Sequence, residues 1–279
     1  MTDKQSIRIS FSKAASTYDG NSDVQREVAL EVSALISGII RNGCFAVAPR
    51  GKSVFSGEGL RVLDIGCGTG RLVGFLRSEL PDASFTGSDI ALPMVYKAIE
   101  NNKDIQGVTA DCDELPFTGS SFDIICSSLT YQWSTDLLSA FKEVKRVLKT
   151  GGIFTFSTLG PDTLYELRAS YAQACTKSAP PSPIVFQGVD NLLMNLKNAG
   201  LHIIGVEKRI IKKRYDSLFA LLKTLKNIGA APPVKTEKNG LAIGSILRKA
   251  QEAYSREFPW PEGGITATYE VIYVTACKI

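Results

Sequence analysis

From residue 60 onward, short apolar runs alternate with stretches whose apolar residues return every three or four positions. The runs LRVLDI (60–65), SFTGSDI (84–90), GVTA (107–110), FDIICSSL (122–129) and GIFTFSTL (152–159) predict strands. Residues 70–80, 92–101 and 135–149 predict the helices between them. Alternation at this spacing is the pattern of βαβ units, hence of a mostly parallel sheet with helices on both faces and ligands at the carboxyl ends of its strands. Upstream, NSDVQREVALEVSALISGIIRN places Val24, Val28, Val32, Leu35, Ile36 and Ile39 at helical periodicity. Ser22 and Gln25 stand before them at capping-box spacing, which predicts an N-terminal helix. Residues 42–59 hold glycines, Pro49 and basic residues without a period and predict a surface loop. Beyond residue 160 the pattern predicts a helix in DTLYELRASYAQA, a turn at SAPPSP, a helix ending at Gly200 and a strand in LHIIGVEKRII. Two helices at about 215–228 and 241–256 then precede a last strand, ITATYEVIYVTACKI. The chain therefore divides into an N-terminal helical segment and loop over 1–59 and a main domain over 60–279, whose helical insertion at about 211–262 forms a small cap.

Composition narrows the class without changing this picture. With 44% hydrophobic and 22% charged residues among 279, the chain is that of an ordinary globular protein. No apolar run approaches the roughly 18 to 20 residues of a membrane-spanning helix, and the start MTDKQSIRIS lacks the apolar centre of a secretory signal. A cytoplasmic protein with no membrane partner is expected. Cys44, Cys67, Cys112, Cys126, Cys175 and Cys277 are scattered without a CxxC pair and are expected to be free thiols. His202 is the only histidine. A zinc site, a Ser-His-Asp triad or a Cys-His dyad would each have to be built on it, so no metal is expected and His202 is expected to be structural.

The stretch RVLDIGCGTG carries the first chemical signal. Glycines between a strand and its helix let the backbone approach a ligand, but Gly66, Gly68 and Gly70 follow G-x-G-x-G, and Arg71 stands where a dinucleotide fingerprint has its last glycine. Asp89, ending the next strand, is placed to accept hydrogen bonds from two ribose hydroxyls. Asp111, after the third strand, is placed to receive an adenine amino group. Singly these are a tight turn, a helix cap and a loop solvator. In order at the ends of three successive strands they describe S-adenosylmethionine, its charged amino-acid end over Asp64 and the glycine turn.

The segments VLDIGCGTG, GSDIALPMVYKA, ADCDELPF, FDIICSSLTYQW and EVKRVLKTGGIFTFSTL resemble the motifs of class I methyltransferases, in the same order. The resemblance implies a Rossmann-like α/β fold with a seven-stranded sheet, and S-adenosylmethionine as cofactor. It places Tyr18, Asp64, Gly66, Cys67, Gly68, Gly70, Asp89, Ile90, Asp111, Cys112, Ser128 and Leu129 around that cofactor. More selective segments are FSKAASTYDGNSDVQREVA, SSLTYQW, STLGPDTLYELR, LLKTLKNIGA and TATYEVIYV. These are similar to the malonyl-acyl-carrier-protein O-methyltransferases of biotin synthesis, over nearly the whole chain. The 42–59 loop is longer than that family's, and SDIALPM replaces a common Leu-Asp-Leu-Ser pattern. A mitochondrial complex I assembly factor that hydroxylates arginine shares DTLYELR, whereas Gln132 before Trp133 leans toward the biotin family.

The chemistry implied suits these residues. A malonyl carboxyl, with a solution pKa near ~4, is already ionised at pH 7, so no general base is needed and no catalytic acid or base is expected. Alignment of oxygen, methyl carbon and sulfur and exclusion of water are what remain for the protein to supply. Tyr131, Gln132 and Trp133 are expected to shape the acceptor pocket, Tyr18 to fold over the cofactor and Arg168 to orient the substrate carboxylate. The segment 207–226 holds seven Lys or Arg against two acids, a net +5 in a chain of net +4. Such a field suits an acidic macromolecule, and the resemblance implies acyl carrier protein bearing malonyl, docked through Lys208, Arg209, Lys212, Lys213 and Arg214. Nucleic acid is not expected, since no aromatic platform accompanies the charge. Two other functions stay open: methylation of a small-molecule carboxylate such as aconitate, and a cofactor-binding accessory protein resembling the assembly factor.

Overall fold

The apolar run at 60–65 becomes an inner strand, next to the central one, of a seven-stranded sheet in a computed structural model of the protein, which describes residues 4–42, 59–175, 186–230 and 240–279. The expected turn at SAPPSP, Cys44 and all of the expected 42–59 loop except its two end residues lie outside the described residues. Strands β1 (Arg61–Ile65), β2 (Ser84–Asp89), β3 (Gln106–Thr109), β4 (Phe122–Ser128) and β5 (Leu148–Leu159) run parallel. β7 (Ile265–Cys277) is antiparallel to β5, and β6 (His202–Tyr215) is antiparallel to β7 at the edge. The order is β3-β2-β1-β4-β5-β7-β6. Val62, Leu63, Ile124 and Ile125 are all completely buried. Helices cover both faces of the central strands, which is why these runs read as continuously apolar rather than alternating.

Successive strand residues point to opposite faces and so meet different helices. Val62, Ile124, Ile153 and Val271 pack with helices α2 (Asp23–Arg41) and α3 (Arg71–Glu79), and with α8 (Leu218–Asn227) and α9 (Gly240–Glu257). Leu63, Ile125, Phe154 and Ile272 pack with α5 (Leu137–Val147) and α7 (Val189–Asn198). The remaining helices are α1 (Lys4–Ala14), α4 (Leu92–Asn101) and α6 (Tyr165–Ala174). Among the described residues no helix is long and apolar enough to cross a membrane. Cys67 and Cys126 are buried free thiols, Cys112, Cys175 and Cys277 are free and half-buried, and His202 is exposed at the start of the edge strand.

Three local differences from expectation bear on the site. Helix α1 was not legible: KQSIRISFSKA is largely polar, with Ile7, Phe11 and Ala14 as its inward stripe, and Phe11 and Ala14 pack on Ala91 and Met94 beside α4. Ser22 forms no capping box. Its hydroxyl and carbonyl instead accept hydrogen bonds from Arg71 Nη1, both at 3.0 Å. Strand β6 continues past Ile211 to Tyr215, so the helical insertion starts after that residue rather than at about 211. Ile211, Lys213 and Tyr215 are half-buried while Ile210, Lys212 and Arg214 are exposed, and the Tyr215 and Tyr269 hydroxyls meet at 2.9 Å. This alternation keeps the basic run in register with β7, and charge along an unpaired edge resists pairing with other chains.

Candidate functional site

At the carboxyl end of β1 the chain turns through Gly66 (φ +70), and the N–H groups of Gly66 and Cys67 both donate to the Ser88 carbonyl, at 2.7 and 2.9 Å. A Cβ at Gly66 would overlap the Thr130 side chain, so both the positive φ and the close approach require glycine there. At Gly68 (φ +52) a Cβ would meet nothing and would project into open space. Gly70 leads into α3 and packs on Asn102 and Ala98. A cleft opens at this turn, lined by Tyr18, Gly66, Gly68, Asp89, Ile90, Cys112, Ser128 and Leu129 among the expected residues. Asp64, Cys67, Gly70 and Asp111 are not on its lining. Lys4, Ile7 and Phe11 of α1 also line it, and the sequence pattern did not place them there.

Two acids at the turn differ in their surroundings. Both carboxylate oxygens of Asp64 are buried and have no hydrogen-bond partner among the described residues. Burial first, and the nearby charge of Asp89 second, push its carboxyl up to about 8. Asp89 is also buried, but Oδ2 accepts from the Gly68 N–H at 3.0 Å and Oδ1 from the Ala91 N–H at 2.8 Å. Its carboxyl is pushed only to about 6, burial raising it and the two backbone donors holding it down. Asp89 thus braces the entry to α4 and still faces the cleft, with lone pairs left over on both oxygens. An ammonium for Asp64, paired hydroxyls for Asp89 and room at Gly68 fit S-adenosylmethionine.

Asp111 departs from its expected place. Its Oδ2 receives Lys4 Nζ at 2.6 Å and its Oδ1 the Asp113 N–H at 3.0 Å, while its neighbours Ala110 and Cys112 line the cleft. Asp113 shares Lys4 at 2.5 Å and also accepts from Ser134 Oγ at 2.6 Å and from Thr135. Asp111, Cys112 and Asp113 lie close enough to hold a cation together, and the Lys4 ammonium already sits on the two carboxylates. Helix α1 is thereby pinned beside the cleft at one end. At the other end of the N-terminal segment, Asp19 Oδ1 accepts from Thr69 Oγ1 at 2.7 Å and from Arg71 Nη2 at 2.8 Å, which sets Tyr18 over the cleft.

A second cleft shares Phe11, Tyr18, Leu129 and Trp133 with the first. Its other walls are mainly apolar, with Leu159, Leu164, Leu167, Leu225 and Ile228, and Arg168 is its one charged lining residue among the described residues. Trp133 is held edge-on to Phe11, ring centroids 5.4 Å apart. Gln132 is fixed at both ends of its amide, donating to the Leu129 carbonyl at 2.6 Å and accepting from Thr158 Oγ1 at 3.2 Å. Arg168 donates to the carbonyls of Thr163 and Pro161, which aims its guanidinium from the start of α6. Tyr131 does not reach this cleft. It is buried among Phe141, Phe154 and Phe156, and its hydroxyl has no partner among the described residues. The short 3-10 turn Tyr131–Trp133 presents Gln132 and Trp133 to the cleft and Tyr131 to the core. Leu129 (φ +54) and Leu164 (φ +53) are non-glycine residues in the left-handed region and both line the cleft. Strain of this kind concentrates at working sites, and nothing in either residue's sequence context announces it.

The basic strand is largely neutralised within the chain. Lys208 pairs with Glu270 at 3.0 Å, Arg209 with Glu31 at 2.7 Å and Glu207 at 2.9 Å, Lys213 with Glu27 at 2.7 Å and Arg214 with Asp216 at 2.9 Å. Of the five expected docking cations, Lys212 alone has no ion pair among the described residues.

Comparison with known proteins places the chain among methyltransferases. A family model described as a methyltransferase domain matches residues 63–156. The malonyl-[acyl-carrier protein] O-methyltransferase of Methylovorus sp. (strain MP688) is 33% identical over 287 residues, covering 100% of this chain and 90% of that protein. The protein of the same name from Laribacter hongkongensis is 33% identical, covering 98% of this chain and 88% of its own length. Among solved structures, the YcgJ protein from Bacillus subtilis superposes with a TM-score of 0.58 at 19% identity over 89% of this chain and 98% of that one, a likeness of fold.

Proposed function

The chain belongs to the malonyl-[acyl-carrier protein] O-methyltransferase family, and from that premise we propose that it methylates the free carboxylate of a malonyl thioester carried on an acyl carrier protein, as in biotin synthesis. The observation that carries this proposal is the shared wall. A cleft with the features of a cofactor site and an apolar cleft with one cation among its described lining residues meet across Phe11, Tyr18, Leu129 and Trp133. S-adenosylmethionine supplies a methyl on a cationic sulfur, and the C–S electron pair stays with sulfur when the carboxylate oxygen forms its new bond. The ammonium of the amino-acid end would lie toward Asp64, whose carboxylate stands behind the cleft lining with both oxygens buried and without a hydrogen-bond partner among the described residues. Asp89 takes the ribose hydroxyls with the lone pairs its two backbone donors leave free.

Arg168 orients the acceptor carboxylate. Part of its guanidinium is committed to the Thr163 and Pro161 carbonyls. It therefore holds the carboxylate without a fully bidentate clamp that would blunt the nucleophile. Tyr18 and Trp133, with Phe11, close the junction between the clefts. Water excluded there can neither solvate the carboxylate nor separate it from the methyl group. No proton moves, which suits a chain whose only histidine lies at the start of the edge strand.

Incubation of the protein with methyl-labelled S-adenosylmethionine and malonyl carrier protein should give a base-labile methyl ester on the malonyl group. Label appearing only on a small carboxylate such as aconitate, or no transfer to any carboxyl, would overturn the proposal.

A further inference from the structure

We propose that the carrier domain docks on the outer face of α8 rather than on β6, an inference that rests on the function proposed above. Helix α8, LFALLKTLKN, contains no acidic residue. Leu218, Leu221 and Leu225 turn inward, and Leu225 together with Ile228 just beyond the helix forms part of the acceptor cleft. On the opposite side Phe219, Lys223 and Lys226, spaced four and three residues apart, form one exposed stripe, with Phe219 52% exposed. Neither lysine has an ion-pair partner among the described residues, whereas four of the five cations singled out on β6 are matched by acids of the same chain. The basic segment read from the sequence at 207–226 thus splits into a compensated strand and an uncompensated helix.

The stripe is fixed relative to the cleft. Asn227, at the end of α8, accepts from Thr17 Oγ1 at 2.9 Å and donates from Nδ2 to Asn21 Oδ1 at 3.1 Å, so the helix is tied to the same N-terminal segment that carries Tyr18. An apolar ring flanked by two free ammonium groups complements an acidic helix that exposes a few apolar residues. A carrier seated there delivers its flexible thioester arm beside Leu225 and toward Arg168. Charges at the rim of such a contact govern encounter and its salt dependence more than the chemical step.

The experiment is steady-state methylation by Lys223→Glu/Lys226→Glu with malonyl carrier protein and with malonyl-coenzyme A, across a range of salt. The KM for the carrier substrate should rise on the order of tenfold at low salt and lose much of its salt dependence. Turnover at saturation, S-adenosylhomocysteine affinity and the constants for malonyl-coenzyme A should stay unchanged. Should the reversal fail to fold, Lys223→Gln/Lys226→Gln should give about a threefold rise with the same selectivity. An unchanged carrier KM, or an equal loss on both thioesters, overturns docking on α8 while leaving the function intact. Unaltered protein that methylates neither thioester overturns the function itself.

Discussion

Asp64→Asn separates what the fold tolerates from what the cofactor needs. The parent carboxyl is held at about 8 against an ordinary 3.8, and the cause is burial without a donor. The sign follows directly. Above pH 3.8 the unfolded chain releases this proton while the ligand-free fold retains it, so stability falls as pH rises from about 4 to about 8. Each unit is worth about 1.4 kcal/mol, so between pH 5 and 8 the acid costs the ligand-free fold about 4 kcal/mol that an uncharged amide of the same shape does not. Thermal unfolding without ligand should therefore show Asp64→Asn gaining on the parent as pH rises, by roughly 2–4 °C for each kcal/mol in a chain of this size. Calorimetric titration with S-adenosylhomocysteine should show the opposite order. The variant should bind at least about a hundredfold more weakly, because about 3 kcal/mol of buried charge pairing is lost. The parent's affinity should tighten by about tenfold per unit between pH 6 and 7, where ammonium binding must expel the proton, and the variant's should not. A difference in Tm that does not vary with pH, or a variant that binds as tightly as the parent, would refute the assignment of this carboxylate.

Tyr131→Phe removes a buried hydroxyl that has no partner among the described residues; it should raise Tm by a few degrees, for about 1 kcal/mol gained, and leave turnover unchanged, and a large loss of turnover would return that hydroxyl to the acceptor site. Arg168→Gln should raise the KM for the malonyl thioester on the order of tenfold or more with S-adenosylhomocysteine affinity intact; identical constants would remove the guanidinium from substrate binding. Lys4→Met loses the bridge to Asp111 and Asp113, a half-exposed pair worth about 1 kcal/mol, and should release S-adenosylhomocysteine about fivefold faster in a stopped-flow displacement; an unchanged rate would mean α1 does not gate the cleft.

The parts of the site that the sequence made legible are those built from neighbours in the chain. Hydrophobic patterning located β1 and β4 because a doubly covered parallel strand is apolar through most of its length. Gly66, Gly68 and Gly70 announced a turn because few other residues take positive φ in so short a span. What stayed hidden was set by pairs far apart in sequence. Lys4 reaches Asp111 across 107 positions and, with the Asp113 N–H, holds that carboxylate off the cleft lining. Glu27 and Glu31 on α2 cancel cations of β6 that, counted along the chain, look like a free positive field. Tyr131, Gln132 and Trp133 are adjacent, yet one turn of 3-10 helix sends the first to the core and the other two to the cleft, a division no periodicity over three residues can resolve. The same reasoning ranks the cations that remain. A charge whose partner lies elsewhere in the fold is already engaged, so on the docking proposed above an acidic partner meets Lys223 and Lys226, whose helix carries no acid, rather than the matched cations of β6.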